Sequence, residues 1–260
     1  MKTPIRFRRS LASAFMLLGV ITGTGAFQPM AAQAANSTTG SQHAKRKPAS
    51  PEAIAIRHVN DAVKVARKMQ LEPRIAGLMA DAKGVFLMPK YVRAAVGVGG
   101  GGGPGVLLVR NESGEWSDPA FFHVGSVSVG VQVGVQAGPM ALLLNNEKAV
   151  SHFLKQSNFS LSADSGLTVV NWVALGAAGP GDVTAWSGSK GLFGNAAAVS
   201  FSDVRYSVGQ TSGYYAKEGV SVEDVIKGTV TNPHAGPLKQ ALAARSAKVP
   251  PNPKNGASAK

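Results

Sequence analysis

The 260-residue sequence contains no cysteine, and it has about half as many acidic residues as basic ones. The absence of cysteine excludes disulfide bridges, thiolate metal ligands, thiol nucleophiles and a lipid-modified cysteine at a signal-cleavage site. Hydrophobic residues make up 44% of the chain, which excludes a wholly disordered protein. These limits point to a globular domain without redox or thiol chemistry.

The N-terminus has the features of a signal peptide. Lys2, Arg6, Arg8 and Arg9 form a basic segment, and residues 11–27 that follow carry no charge. Ala-Gln-Ala at residues 32–34 provides the small-x-small pattern that signal peptidase cleaves. We therefore predict that residues 1–34 are a signal peptide cleaved near Ala34, and that the protein is exported to the periplasm. The pattern leaves open whether export uses the general or the twin-arginine route.

The excess of positive charge lies near the ends of the mature chain. The whole sequence has 27 Lys and Arg against 14 Asp and Glu, and removal of four signal-peptide cations reduces the net charge from +13 to +9. Residues 59–235 are almost neutral, with 14 basic and 13 acidic side chains. Basic tails of this kind attract anionic surfaces. Nucleic acid is not expected as a partner, because no strip of aromatic and basic residues accompanies the charge.

Composition, together with the residues that typically start and end helices, predicts the domain organisation. Residues 35–50 form a basic disordered linker, residues 51–230 a folded domain, and residues 231–260 a basic C-terminal tail. Ser50-Pro51 is a typical helix start, and apolar residues at helical spacing continue to residue 71. A second, shorter helix follows from Pro73 and closes at Gly84.

From Val85 the hydrophobic pattern changes to the period of two that is typical of strands. Residues 85–88 predict a short buried strand ended by Pro89, and a run of glycines at residues 99–103 predicts a loop between two further strands. In residues 124–137 valines alternate strictly with small or polar residues, which predicts one long, half-buried strand. The alternating valines are Val127, Val129, Val131, Val133 and Val135.

The rest of the body mixes short strands and helices. Strands are predicted at residues 167–174, 182–186 and 196–201, and helices at residues 147–155, from the capping box at Ser221, and at residues 237–247. Short glycine-bounded connections favour antiparallel pairing. The predicted fold class is α+β, with a mostly antiparallel, strongly curved or barrel-like sheet, N-terminal helices, and one or two inserted helices.

The sequence offers little that is typical of catalysis. Residues 97–102 satisfy the G-x-G-x-x-G string, but a strand follows it where a dinucleotide site needs a helix. The five histidines are scattered and lack metal-ligand spacing. We therefore predict a non-enzymatic protein that uses no metal and no cofactor.

Five segments occur in an order that resembles the SYLF domain family. They are residues 82–89, 97–105, 114–120, 128–136 and 186–194. The resemblance covers most of the mature body, with Trp186-Ser187 where Tyr-Ser is usual and a weaker match beyond Gly194. SYLF domains are lipid-binding modules of eukaryotic membrane- and actin-associated adaptors and of exported bacterial proteins. The resemblance thus implies affinity for an anionic phospholipid or membrane surface, without naming the lipid, and no actin is expected in a bacterial setting.

The candidate site residues follow from these motifs and from charge. Lys90, Arg93 and Lys190 are the body cations nearest the motifs, and with Lys45, Arg46 and Lys47 of the linker they are predicted to bind lipid headgroups. Leu192 and Phe193 are predicted to contact the membrane. The motif positions expected to be structural are Pro89, Gly100, Gly105, Trp116, Pro119, Gly134, Trp186, Ser187, Gly191 and Gly194. An alternative remains open, in which the domain recognises an envelope protein and lipid is irrelevant.

Overall fold

The computed structural model describes residues 49–155, 157–189 and 200–243, apart from the side chains at 95–98, 128–133 and 178. The α-helices of this part are α1 (Pro51–Gln70), α2 (Pro73–Asp81), α3 (Glu147–Lys155), α4 (Leu175–Ala178), α5 (Val208–Tyr215), α6 (Val222–Ile226) and α7 (Gly236–Ala243). The strands are β1 (Gly84–Val109), β2 (Ala120–Leu144), β3 (Asn158–Leu161), β4 (Val169–Asn171), β5 (Val183–Ser187) and β6 (Phe201–Tyr206). Short 3-10 helices lie at Ala163–Ser165, Trp172–Ala174 and Pro233–Ala235.

Helix α1 begins where the sequence predicts. The Ser50 hydroxyl accepts a hydrogen bond from the Ala53 backbone N–H at 3.2 Å, and Pro51 occupies the first helical turn, where no N–H partner is needed. One stripe of the helix is buried against the sheet and the later helices. Its buried side chains are Ala55, Val59, Ala62, Val63, Val65, Ala66 and Met69.

The sheet separates two hydrophobic cores. Alternate residues of β1 and β2 point to opposite faces, so Phe86 and Phe122 enter a first core while Leu87 and Phe121 enter a second. The first core is closed by α3, α6, β3 and β4, and the second by α1, α2, α5 and α7. Because both faces are covered, the two ends of each long strand are continuous apolar runs rather than alternating ones.

Strand β1 folds back on itself. A straight strand of 26 residues would span roughly 85 Å, yet the Arg110 N–H donates to the Lys83 carbonyl at 2.8 Å, so the two ends of β1 are adjacent. Further along, a Cβ placed on Gly103 would lie 3.3 Å from the Tyr91 Cα. Strand β2 follows the same course, because it pairs with β1 from Gly84↔Leu144 to Leu107↔Ala120. We call the segments 92–100 and 127–135, where the ribbon reverses, the fold-back end.

The fold-back produces a strongly curled sheet. Strand β5 pairs with residues 140–144 of β2 and strand β6 with residues 122–125, so they extend opposite edges of the doubled ribbon. With each half of β1 and β2 counted separately, the sheet has eight strand segments and the shape of a half-barrel. All pairs are antiparallel except β4 with β5. The predicted α+β class with a curved, mostly antiparallel sheet is confirmed.

Two predictions about β1 are wrong. Pro89 does not end the strand, and the glycine run is strand rather than loop. At Gly103 a side chain would overlap the Lys90 carbonyl oxygen, so glycine allows the two halves of β1 to approach. Gly134 has φ +147°, a region that favours glycine, and it lies where β2 turns through the fold-back end.

We expect Gly103→Ala to lower the free energy of unfolding by about 1–3 kcal/mol, because its methyl group meets backbone that cannot move aside alone. Gly100→Ala is the matched control, since a Cβ there lies 3.7 Å from the nearest atom, the Ser126 carbonyl oxygen. The control should change stability by less than about 0.5 kcal/mol. Urea titration of both variants measures the difference, and equal effects would contradict the close approach within β1.

Other predicted boundaries differ from the structure. The predicted strand at 167–174 is limited to Val169–Asn171. Most of the strand predicted at 196–201 lies outside the described residues, and its last residue, Phe201, is the first of β6. Strand β3 and helix α5 were not predicted. The folded body also continues past the predicted domain end at residue 230, because Leu238 and Leu242 of α7 are buried in the second core.

The valine row of β2 is only partly as predicted. Val127 and Val135 are exposed, at 67% and 74%, whereas a half-buried strand would cover them. Their cross-strand partners, Gly100 and Ala94, are too small to shield them. The side chains of the three valines between them fall outside the described residues.

Candidate functional site

A basic groove lies between α1 and the residues of β1 and β2 that lead into the fold-back end. We call it the α1 groove. Its cavity volume is about 400 Å³. Helix α1 forms one wall of the groove, where Lys64 and Lys68 are exposed one turn apart. Strand β1 contributes Pro89 and Lys90 to the other wall, and β2 contributes Pro139. The lining residues are Asp61, Lys64, Val65, Lys68, Pro89, Lys90 and Pro139.

The groove carries more positive than negative charge. Lys64 pairs with Asp61 at 2.6 Å, but both side chains are well exposed, so the pair contributes little to stability. The Lys68 ammonium donates to the Gly188 carbonyl, a neutral acceptor, at 2.7 Å. The exposed Lys90 ammonium has no hydrogen-bond or ion-pair partner within the described part of the chain. Three cations and one carboxylate thus face a shallow, proline-walled surface that suits an anionic group.

Two of the predicted headgroup-binding residues, Lys90 and Arg93, belong to the described part of the chain. Lys90 lines the α1 groove. Arg93, three residues further along β1, is half-buried and lies opposite Gln136 of β2. The other predicted lipid contacts lie outside the described residues, namely Lys45, Arg46, Lys47, Lys190, Leu192 and Phe193.

Sequence reasoning missed Lys64 and Lys68. Helix α1 was interpreted only through its buried stripe, although both lysines are exposed and four residues apart, so they lie on one face of the helix. That spacing is a signal of a basic helical face. No local pattern indicates that this face would lie beside Lys90, because α1 and β1 come into contact only when the chain has folded.

Several motif residues have evident structural contacts. Trp186 is fully buried, and its indole N–H donates to the Glu72 carboxylate at 3.1 Å. Gly105 lies so close to the Phe86 ring that a Cβ would overlap it. The Pro119 carbonyl accepts a hydrogen bond from the Tyr215 hydroxyl at 2.9 Å, and the Ser187 hydroxyl donates to the Ser189 carbonyl at 3.0 Å. Gly191 and Gly194 lie outside the described residues.

A larger cavity of about 960 Å³ lies beside the loop that joins β1 to β2. Three of its charged groups, Arg110, Asp118 and Lys239, already make contacts that hold the fold together. The Arg110 guanidinium stacks 4.2 Å from the Trp116 ring centroid and donates to the Ala82 and Gly114 carbonyl oxygens. The buried Asp118 carboxylate accepts from the Asn232 backbone N–H at 2.8 Å and from Lys239 at 3.1 Å. Because these groups serve structural contacts, we assign no ligand to this cavity.

The histidines of the described residues offer no metal site. Burial lowers the pKa of His58, whose Nδ1 lies 2.5 Å from the Gln210 amide nitrogen. Within residues 49–155, 157–189 and 200–243, no group of three His, Asp or Glu side chains is placed to hold a metal ion. None of the helices in the same ranges combines the length and the hydropathy needed to cross a membrane.

The tyrosine at the start of the fold-back end is an anchor. The hydroxyl groups of Tyr91 and Ser126 are 2.6 Å apart, and burial raises the pKa of the Tyr91 phenol. The Tyr91 ring also meets the Phe201 ring edge-on, with 6.2 Å between centroids. These contacts fix the point from which the ribbon projects and keep Lys90 next to it.

The architecture defines the class of the protein as a curled α+β half-barrel with a basic surface groove. Residues 125–245 match the family model described as Ysc84, Las17-binding protein actin regulator. This match confirms the resemblance to the SYLF family.

Curated relatives match part of the chain. The human SH3 domain-containing YSC84-like protein 1 is 29% identical over 89 residues, which are 34% of this chain and 26% of the relative. Protein YSC84 of Saccharomyces cerevisiae is 30% identical over 123 residues, which are 45% of this chain and 26% of the relative. The matched region thus spans about a quarter of each of these relatives. No solved structure matches the chain.

Proposed function

We propose that this protein is a non-enzymatic, exported module that binds anionic lipid headgroups at an envelope membrane surface. The observation that carries the proposal is the α1 groove, where Lys64, Lys68 and Lys90 face solvent around a single carboxylate. Cations next to an anionic bilayer contribute about 1 kcal/mol each to binding. The shallow groove suits a headgroup that protrudes from a surface.

The charge of the remaining sequence supports the same role. The predicted linker adds Lys45, Arg46 and Lys47 directly before α1, and these cations act together with the groove through the surface potential. The signal peptide predicted from the sequence directs the protein to the periplasm. Binding of actin, or of a protein that regulates it, is not part of the proposal, because an exported chain would not meet cytoskeletal partners.

Liposome co-sedimentation of residues 35–260 tests the proposal. Vesicles of phosphatidylcholine alone are compared with vesicles that also contain phosphatidylglycerol, at low and at high salt. We expect binding only to the anionic vesicles and a marked loss at high salt. Binding that is indifferent to lipid charge and salt would contradict the electrostatic role, and a stoichiometric envelope protein partner without vesicle binding would favour protein recognition instead.

Removal of two groove charges should weaken binding to anionic vesicles. For Lys64→Gln/Lys90→Gln we expect a loss of about 2 kcal/mol, or roughly 30-fold in affinity. The matched control is Lys155→Gln/Lys227→Gln, which removes the same charge from α3 and from the end of α6 on the opposite face of the sheet. The control should lose less than about threefold. Equal losses would show that net charge, and not the α1 groove, governs binding.

A further inference from the structure

The fold-back end exposes apolar side chains where the ribbon leaves both cores. Val127 and Val135 are among the most exposed large hydrophobic residues of the described chain. They pair with Gly100 and Ala94 on the two halves of β1, so three strand spacings separate them, roughly 14 Å. Exposed valines on a strand favour contact with a binding partner, because burial of a β-branched side chain is favourable.

The charge around these valines restricts that partner. The 51 residues of β1 and β2 contain Lys90, Arg93 and His123 but no aspartate or glutamate. Ion pairs nearby are already formed within the chain, as in Lys64–Asp61. A ribbon that combines exposed valines and cations, and has no acidic residue in either of its strands, is complementary to an apolar layer with negative charge at its edge.

An anionic bilayer has that arrangement of charge. Its headgroups are negative and its acyl chains begin a few ångströms deeper. Cations beside the fold-back end can therefore contact the headgroups while the exposed valines contact the acyl chains. Lys90 lies just before the fold-back end and lines the α1 groove, so the cations lie behind the valines along the ribbon. The fold-back end and the groove would therefore engage one membrane at different depths.

We propose that the fold-back end inserts into the interfacial layer of an anionic bilayer, with Val127 and Val135 entering the boundary between headgroups and acyl chains. This inference rests on the proposed headgroup binding and adds a second, apolar contact to it. The groove supplies salt-sensitive attraction, and the valines supply a contact that salt does not screen.

The cysteine-free chain allows a direct test by site-specific labelling. Val127→Cys and Val135→Cys are labelled singly with an environment-sensitive fluorophore, and Glu112→Cys is the control in the exposed turn at the opposite end of the ribbon. With vesicles of phosphatidylcholine and phosphatidylglycerol that contain a quencher in the acyl chains, we expect quenching at 127 and 135 but not at 112. Equal quenching at all three positions, or none, would overturn the inference.

A substitution test measures the contribution of the valines. Val127→Thr/Val135→Thr keeps the β-branched shape and should lower affinity for the same vesicles at high salt by about tenfold. The matched control, Val173→Thr/Val208→Thr, changes two valines that are also more than half exposed but lie in a 3-10 helix and in α5. The control should bind like the parent, and equal losses in both double variants would overturn the inference.

Failure of this inference can be told apart from failure of the proposed function. Co-sedimentation of the parent protein is measured in parallel. If the parent binds anionic vesicles and the labels at 127 and 135 stay unquenched, insertion is wrong while headgroup binding stands. If the parent does not bind at all, both proposals fall.

Discussion

Trp186→Ala is expected to lower the free energy of unfolding by about 3–5 kcal/mol. The Trp186 side chain is fully buried in the second core, so its removal leaves a large cavity between the sheet and the helices above it. The indole N–H also donates to the carboxylate of Glu72, the residue that precedes α2, at 3.1 Å. The loss therefore affects both the packing of the core and the junction between α1 and α2.

Two comparisons separate these effects in urea denaturation. Trp186→Phe keeps most of the ring volume but removes the N–H donor, so it should cost less than Trp186→Ala. Leu71→Ala removes a large hydrophobic side chain that is 81% exposed, and it should cost less than about 0.5 kcal/mol. If Trp186→Ala costs no more than Leu71→Ala, the second core is not as described.

Phe122→Ala should cost about 3–5 kcal/mol for a different reason. Phe122 is fully buried at the centre of the aromatic cluster in the first core. Its ring centroid lies 5.3 Å from those of both Phe153 and Tyr206 and 6.0 Å from that of Phe86, mostly in edge-to-face geometry. Such pairs add about 0.5–1.5 kcal/mol beyond the burial of apolar area.

The same strand provides the control for Phe122. Val127→Ala lies five residues away on β2, where the side chain is exposed, and should change the unfolding free energy by less than about 0.5 kcal/mol. Phe122→Leu fills much of the space without the ring and should fall between the two. A Phe122→Ala variant as stable as Val127→Ala, measured by urea titration, would contradict the aromatic core.

Elements with local signals were predictable from the sequence. Helix α1 has a cap, a proline at its start and a buried stripe, and helix α6 begins with a capping box in which Ser221 and Asp224 bond reciprocally. Helix α3, which was also predicted, has a local cap, because the Asn146 side chain accepts a hydrogen bond from the Ala149 N–H. In each case a few neighbouring residues decide the conformation, so no distant contact is needed.

Elements that depend on distant contacts were not predictable. Helix α5 contains two glycines and a buried Thr211, and it forms because it packs against α1 rather than because its residues favour helix. The fold-back of β1 was missed because a run of glycines is usually a loop, whereas here each half of the strand pairs with β2. Alternation correctly predicted a strand at residues 124–137 but could not indicate whether another element covers its valines.

The candidate site shows the same division. Lys90 was found from its place beside a motif, whereas Lys64 and Lys68 needed the helix and the sheet to be brought together. Exposed lysines carry no local mark that distinguishes a binding surface from a solvated one. Only their approach to Lys90 across the fold identifies the groove.

The register between β1 and β2 has a consequence for the order in which the two strands are expected to pair. The pair Leu107↔Ala120 closes a chain segment of only 13 residues, whereas Gly84↔Leu144 closes one of 60. Closing the longer segment first would cost roughly 1.3 kcal/mol more in chain entropy. We therefore expect pairing to start beside the 110–119 loop and to continue through the reversal, so that the residues at the outer ends of β1 and β2 pair last.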